Sequence, residues 1–129
     1  MPRNHAKHNA NRNKSHLLDG GDDMKRTVWL SFDIALGGDF DGMFEWLDEH
    51  EAEECGDNLA IVKIECREAD TIRVLKKSLT RDIEFSEKDR VYAIAKRVDG
   101  GFRGGFIIGK RRTAPWRGAA TLDSPDDEG

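Results

Sequence analysis

Hydrophobic and polar residues alternate along four stretches of the chain, and this period of two predicts four β-strands. The stretches cover residues 27–34, 58–66, 89–97 and 104–110. In the first stretch, Trp29, Ser31 and Asp33 fall on the face opposite the apolar residues. The last two stretches are joined by Asp-Gly and Gly-Gly steps, which tolerate the positive φ of a tight hairpin turn.

Two further stretches change to the helical period. Their inward-facing residues are Phe40, Met43, Phe44 and Leu47 in the first, and Ile72, Leu75 and Leu79 in the second. Asp39 and Asp70 precede these residues, and each carboxylate is placed to accept the unpaired N–H groups of a helix N-terminus. A short extra strand is expected near residues 53–56, before the Gly56–Asp57 loop.

With that extra strand, the order of elements approaches βαββαβ. This order predicts an α+β fold, a ferredoxin-like two-layer sandwich with two helices on one face of an antiparallel sheet. The other face would carry Trp29, Asp33, Tyr92 and Ile94. Such a mixture is too apolar to face solvent, so we expect the protein to self-associate through the sheet as a homodimer.

The length of 129 residues suits one domain, and 36% of the residues are charged. We expect the domain at residues 24–118, between disordered tails at 1–23 and 119–129, with Met24 an alternative start. No apolar run reaches the ~18 residues of a membrane span, and no secretory signal is expected, because residues 1–23 contain no apolar h-region. Cys55 and Cys66 lack metal-ligand spacing, so free thiols and a cytoplasmic location are expected.

The net charge of −4 conceals two segments of opposite charge. Residues 39–57 contain nine acidic residues and no Lys or Arg, whereas residues 96–117 contain seven basic residues and one acid. The acidic segment is either a solvated helix face or a docking surface for a protein partner, with Glu45, Asp48 and Glu49 as its candidate contacts.

The stretch GGFIIGKRRTAPWRG, residues 104–118, nearly spells a phosphate-binding loop. That loop requires Ser or Thr after the Lys, but position 111 is Arg. It also requires a following helix, but Pro115 comes five residues after Lys110. The stretch is therefore interpreted as a strand that leads into a basic tail.

The basic tail is the candidate nucleic-acid site. Its residues are Lys110, Arg111, Arg112, Trp116 and Arg117, and Arg103 in the preceding hairpin turn is added to them. Basic side chains neutralise phosphates, and an indole can stack on an unpaired base. In the alternative interpretation, the glycines form a hairpin and the arginines pair with the protein's own acidic helix, within one chain or in a neighbouring subunit.

Three segments resemble a known family. They are VWLSFDI, IVKIECREADTIRVLKKSL and EFSEKDRVYAIAK. They are similar to the small CRISPR-associated subunit of the spacer-integration complex and to the virulence-associated protein D toxins, over roughly residues 26–96. The chain departs from that family at NLAIVKI and in the tail that contains Trp116.

The resemblance implies a ferredoxin-like homodimer in which Asp33, at the end of the first strand, binds a divalent metal at the dimer axis. Mg²⁺ held there by paired carboxylates would polarise a phosphodiester and activate water, which makes Asp33 a candidate catalytic residue. The sequence thus favours a small nucleic-acid-associated protein, with nuclease activity at Asp33 as an extension. The alternative is a non-enzymatic interaction module, such as an inhibitor, antitoxin or assembly subunit, that uses the acidic helix and the open sheet face.

Overall fold

The computed structural model describes residues 23–122. The strands are β1 (Met24–Asp33), β2 (Glu53–Glu54), β3 (Leu59–Cys66), β4 (Arg90–Lys96) and β5 (Phe102–Ile108). The helices are α1 (Phe40–Glu49), α2 (Thr71–Asp82) and the single turn α3 (Ala119–Leu122), and a 3-10 turn, Glu68–Asp70, precedes α2. Of the predicted tails, residues 1–22 and 123–129 lie outside the described residues.

The five strands form one antiparallel sheet in the order β2-β3-β1-β4-β5. The central strand β1 pairs along almost its whole length with β3, from Met24 opposite Cys66 to Ser31 opposite Leu59. On its other side, Asp33 lies opposite Arg90 of β4. The four strands predicted from alternation and the short extra strand are therefore confirmed, as is the α+β class.

The core lies on one face of the sheet, between the strands and both long helices. Val28, Leu30, Phe32 and Ile34 are buried as the alternation predicts. Their cluster includes Leu75 and Leu79 of α2 and Met43 and Trp46 of α1. The prediction of Phe40 and Phe44 as inward residues of α1 is wrong, because Phe40 is 38% and Phe44 is 54% exposed, and Trp46 is fully buried instead.

The N-termini of the two helices differ in how they are capped. Asp39 caps α1 as predicted, since its carboxylate accepts the Gly42 N–H at 2.9 Å. Asp70 precedes α2, but its side chain makes no capping hydrogen bond, so that prediction is wrong. Its carboxylate instead forms an ion pair with Arg73 at 3.0 Å. The hydroxyl of Thr71 donates to the Glu68 carbonyl at 2.9 Å.

A buried carboxylate fixes the loop that follows β1. Asp89, at the turn before β4, is 1% exposed. One of its oxygens accepts the Ala35 N–H and the other accepts the Ser86 N–H, both at 2.7 Å. The end of β1 and the start of β4 are thereby held together, which fixes the position of Asp33 relative to Arg90.

Both long helices pack on the first face of the sheet and leave the second face, called the open face below, without a helical layer in the described part of the chain. Trp29 and Tyr92 lie on it half-buried, and Ile94 is exposed there, as the alternation predicts. Phe102 and Phe106 of β5 lie on the same face, where they contact the rings of Trp29 and Tyr92. Within residues 23–122, the helices are all too short or too polar to span a membrane.

Candidate nucleic-acid interface

Two glycines in GGFIIGK have structural roles that explain the resemblance to a phosphate loop. Gly104 lies within strand β5, and a Cβ there would come within 3.0 Å of the Tyr92 hydroxyl, so the missing side chain leaves room for the phenol. Gly109 ends the strand at φ +78°, and a Cβ there would come 2.6 Å from the Asp89 carbonyl oxygen. Only glycine fits this position without strain, and it redirects the chain into the basic tail.

The basic tail turns back towards the open face of the sheet. Arg112 reaches Asp33 of the central strand, with Nη2 at 3.3 Å from Oδ2. The same oxygen accepts hydrogen bonds from Nη2 of Arg90 at 2.9 Å and from its Nε at 3.3 Å. Asp33 thus joins a strand arginine to a tail arginine, and two guanidinium groups surround one carboxylate.

Phe106 provides the apolar part of the site. The guanidinium carbon of Arg90 lies 5.6 Å from the centre of its ring, and that of Arg111 lies 5.4 Å away. Cations at this distance are attracted by the negative face of an aromatic ring. The edge-to-face contact with Tyr92, at 4.9 Å between ring centres, fixes the ring further.

These side chains line a groove between the tail and the sheet, with a volume of about 590 Å³. Its lining residues are Arg90, Phe106, Arg111, Arg112, Thr113, Ala114, Pro115 and Trp116. Three guanidinium groups line the groove, and the carboxylate of Asp33 at its edge neutralises only part of their charge. Trp116 is 73% exposed, so its indole is available for stacking. The groove therefore combines positive charge with an exposed aromatic surface.

The structure brings only some of the predicted nucleic-acid residues together. Arg111, Arg112 and Trp116 line the groove, and Lys110 and Arg117 flank them along the tail, exposed to solvent. Arg103 does not join them. It lies opposite the inward-facing Ala95, so it belongs to the helix side of β5.

The predicted partner-interface residues divide between the two sides of the protein. Trp29 and Tyr92 lie on the open sheet face, and Glu45, Asp48 and Glu49 are exposed on α1, which packs on the opposite face. The two groups therefore form two separate surfaces of one chain.

Asp33 was predicted as a metal ligand and catalytic residue. In the described single chain, its carboxylate is engaged by Arg90 and Arg112. Among residues 23–122, no group of three or more His, Cys, Asp or Glu side chains is arranged to hold a metal ion. Both cysteines are free thiols, and burial raises the pKa of the Cys66 thiol.

Sequence reasoning missed two features. Arg90 lines the groove, and the available signal was its place two residues before Tyr92, on the same face in the alternating pattern of β4. A second basic cavity of about 570 Å³ lies between α2 and β3. It is lined by His50, Lys63, Ile64, Glu65, Arg73, Val74, Lys77, Ser78 and Arg81. The signal for this cavity was the run of basic residues on the exposed side of α2.

No protein-family model, curated protein or solved structure matches the chain. The resemblance to the CRISPR-associated and virulence-associated families therefore stays a prediction.

Proposed function

We propose that this protein binds nucleic acid through the groove between its basic tail and the open face of the sheet. The observation that carries the proposal is the grouping of Arg90, Arg111 and Arg112 around Phe106, beside the exposed indole of Trp116. Guanidinium groups bind phosphate oxygens through two parallel N–H bonds. Basic side chains with an aromatic surface are the combination that a sugar–phosphate chain with bases requires.

The charges of the groove support this ligand. Arg111 forms no ion pair with another described residue, so its guanidinium is available to an anion. Asp33 engages Arg90 and Arg112 through one oxygen only, Oδ2. Asp33 accepts from Nε and Nη2 of Arg90 and from Nη2 of Arg112, so the other N–H groups of these two guanidinium groups can donate to a phosphate while Asp33 keeps its contacts.

The fold that we propose for this function is ferredoxin-like. Helix α1 connects β1 to β2, and β3 lies between these two strands in the sheet. Helix α2 connects β3 to β4, and β1 lies between those two strands. These are two split βαβ units, as in the ferredoxin-like arrangement. Strand β5 is then an addition at the edge, and it delivers the basic tail to the open face.

Two earlier expectations remain predictions. The first is a homodimer formed through the sheet, and the second is Mg²⁺-dependent cleavage at Asp33, which depends on a second copy to supply further carboxylates. The alternative class, a protein-interaction module that uses α1, would not need the tail arginines.

The test is fluorescence anisotropy of labelled RNA and DNA at several salt concentrations. Replacement of Lys110, Arg111 and Arg112 together by Ala should weaken binding at least tenfold at low salt and lower the salt slope by roughly 2–3. The matched control replaces Arg73, Lys77 and Arg81 of α2 by Ala, which removes the same charge from the second basic cavity.

The control should bind nearly as well as the unaltered protein. Equal losses in the two triple variants would show that net charge, and not the groove, governs binding. Absence of binding at low salt would overturn the proposed function, and charge reversal at Glu45, Asp48 and Glu49 would then test the interaction-module alternative.

A further inference from the structure

The open face of the sheet carries two pairs of aromatic rings next to the basic groove. Trp29 and Phe102 meet at 5.9 Å between ring centres, and Tyr92 and Phe106 meet at 4.9 Å, both edge to face. Phe106 belongs both to the second pair and to the groove lining. The aromatic surface and the cationic groove are therefore continuous.

The aromatic rings on the open face are accessible to a ligand. Gly104 lies between Phe102 and Phe106 on the same face of β5, and the Tyr92 ring occupies the space that a side chain at position 104 would take. Strand β5 itself contributes no side chain at that position. Phe102 remains 60% exposed next to it. Trp116, in the basic tail, is 73% exposed.

We propose that the groove and the adjoining part of the open face together bind single-stranded nucleic acid, with unpaired bases stacking on Phe102 and Trp116. The inference rests on the proposed function and specifies its ligand. The arginines of the groove would hold the sugar–phosphate backbone. The exposed rings would take bases that are free of pairing.

The exposed rings discriminate between single and double strands for a physical reason. In a duplex, both faces of each base are covered by neighbouring bases, so a protein ring gains nothing unless the duplex opens. In a single strand, the base faces are free, and stacking on a side chain removes apolar surface from water. A site that needed only duplex phosphates would gain nothing from exposed rings such as Phe102.

Charge favours a nucleic acid over a second copy of this chain on this face. The cations of this face and of the tail against it are Lys25, Lys63, Arg90, Lys96, Arg111 and Arg112, and the acidic side chains of the same face are Asp33, Glu53 and Glu65. In a symmetric dimer through this face, the cationic groove of each copy would lie at the same interface. A polyanion is complementary to that charge.

The experiment compares four fluorescently labelled ligands of equal length: single-stranded RNA, single-stranded DNA, duplex DNA and an abasic single strand. The natural single strands are expected to bind at least about tenfold more tightly than the duplex or the abasic strand, in line with the stacking contribution per base. Phe102→Leu combined with Trp116→Leu should remove this preference and leave the salt dependence in place. Phe44→Leu is the control, because Phe44 is an exposed aromatic on the helix side.

Each other outcome overturns a distinct part of the proposal. Equal affinity for the duplex, the abasic strand and the natural strands would overturn the single-strand inference but keep the proposed function. No binding to any of the four ligands would overturn both. An unchanged affinity of the Phe102/Trp116 double variant, with a change in its sedimentation coefficient, would assign the face to self-association and overturn the stacking role.

Discussion

Replacement of the buried Asp89 by Asn should strongly destabilise the protein. The carboxylate is 1% exposed and accepts one backbone N–H on each oxygen, from Ala35 and from Ser86, both at 2.7 Å. Asn has the same shape, but its amide nitrogen donates. One of the two N–H groups would therefore face another donor in place of its acceptor.

The expected loss follows from these two hydrogen bonds. A hydrogen bond to a charged group contributes about 1.5–3 kcal/mol, and a buried N–H without an acceptor costs about 1–3 kcal/mol. The lost hydrogen bond and the unsatisfied N–H partly count the same group, so the two energies do not simply add. We expect a loss of about 2–4 kcal/mol in the free energy of unfolding. For a domain of this size, that loss lowers the Tm by roughly 10–25 °C.

Urea and thermal unfolding, followed by circular dichroism, measure this loss. Asp99→Asn is the matched control, because Asp99 also accepts a backbone N–H, from Gly101 at 2.9 Å, but lies in the exposed β4–β5 turn. The control should unfold close to the unaltered protein. A loss below about 1 kcal/mol for Asp89→Asn would refute the reasoning, since it would mean that both N–H groups find other acceptors at little cost.

Three further predictions concern stability. Hydrogen bonds from backbone N–H groups lower the pKa of Asp39 in the folded protein. Its carboxylate therefore stabilises the fold above about pH 4, and this contribution is lost as the pH falls through the folded-state pKa. Asp39→Ser should lose less unfolding free energy between neutral and acid pH than the unaltered protein does. Trp46→Ala should cost about 3–5 kcal/mol in urea unfolding, and Ser78→Ala, which removes the acceptor of the indole N–H at 2.9 Å, about 1–3 kcal/mol. Gly109→Ala should lower stability by about 1–3 kcal/mol, because φ is +78° and a Cβ would lie 2.6 Å from a carbonyl oxygen; Gly118→Ala, with positive φ but open space, should cost less.

The sheet could be predicted from the sequence because alternation is a local signal. Each strand has one apolar face, and a shift of one residue would expose that whole face, so the pattern determines which residues point inward. The same reasoning predicts that Trp29, Asp33 and Tyr92 share the open face. It carries no information about what lies above that face, since the tail residues that fold over it are distant in sequence.

The buried stripe of α1 was harder to predict. The helical period fits Phe40, Met43, Phe44 and Leu47, but the structure buries Met43 and Trp46 most deeply. The indole of Trp46 can be buried because Ser78 of α2 accepts its N–H and because its ring stacks on His50, at 3.9 Å between ring centres. The partner on α2 is 32 residues away in sequence, so the period of α1 alone does not reveal it.

The contacts of Asp33 could not be predicted from the sequence. Its position at the end of β1 is compatible with a metal ligand, a loop cap or a solvent-exposed residue. Its partners, Arg90 and Arg112, lie 57 and 79 residues away, and the fold alone brings them together. An acidic residue that contacts two of the three groove arginines fixes their direction and holds the tail against the sheet. Asp33→Asn should therefore leave the tail less ordered and lower the affinity for single strands. If the carboxylate of Asp33 only repelled the phosphates, its neutralisation would raise the affinity instead. Fluorescence anisotropy at low salt separates the two cases, and a gain in affinity would contradict the positioning role.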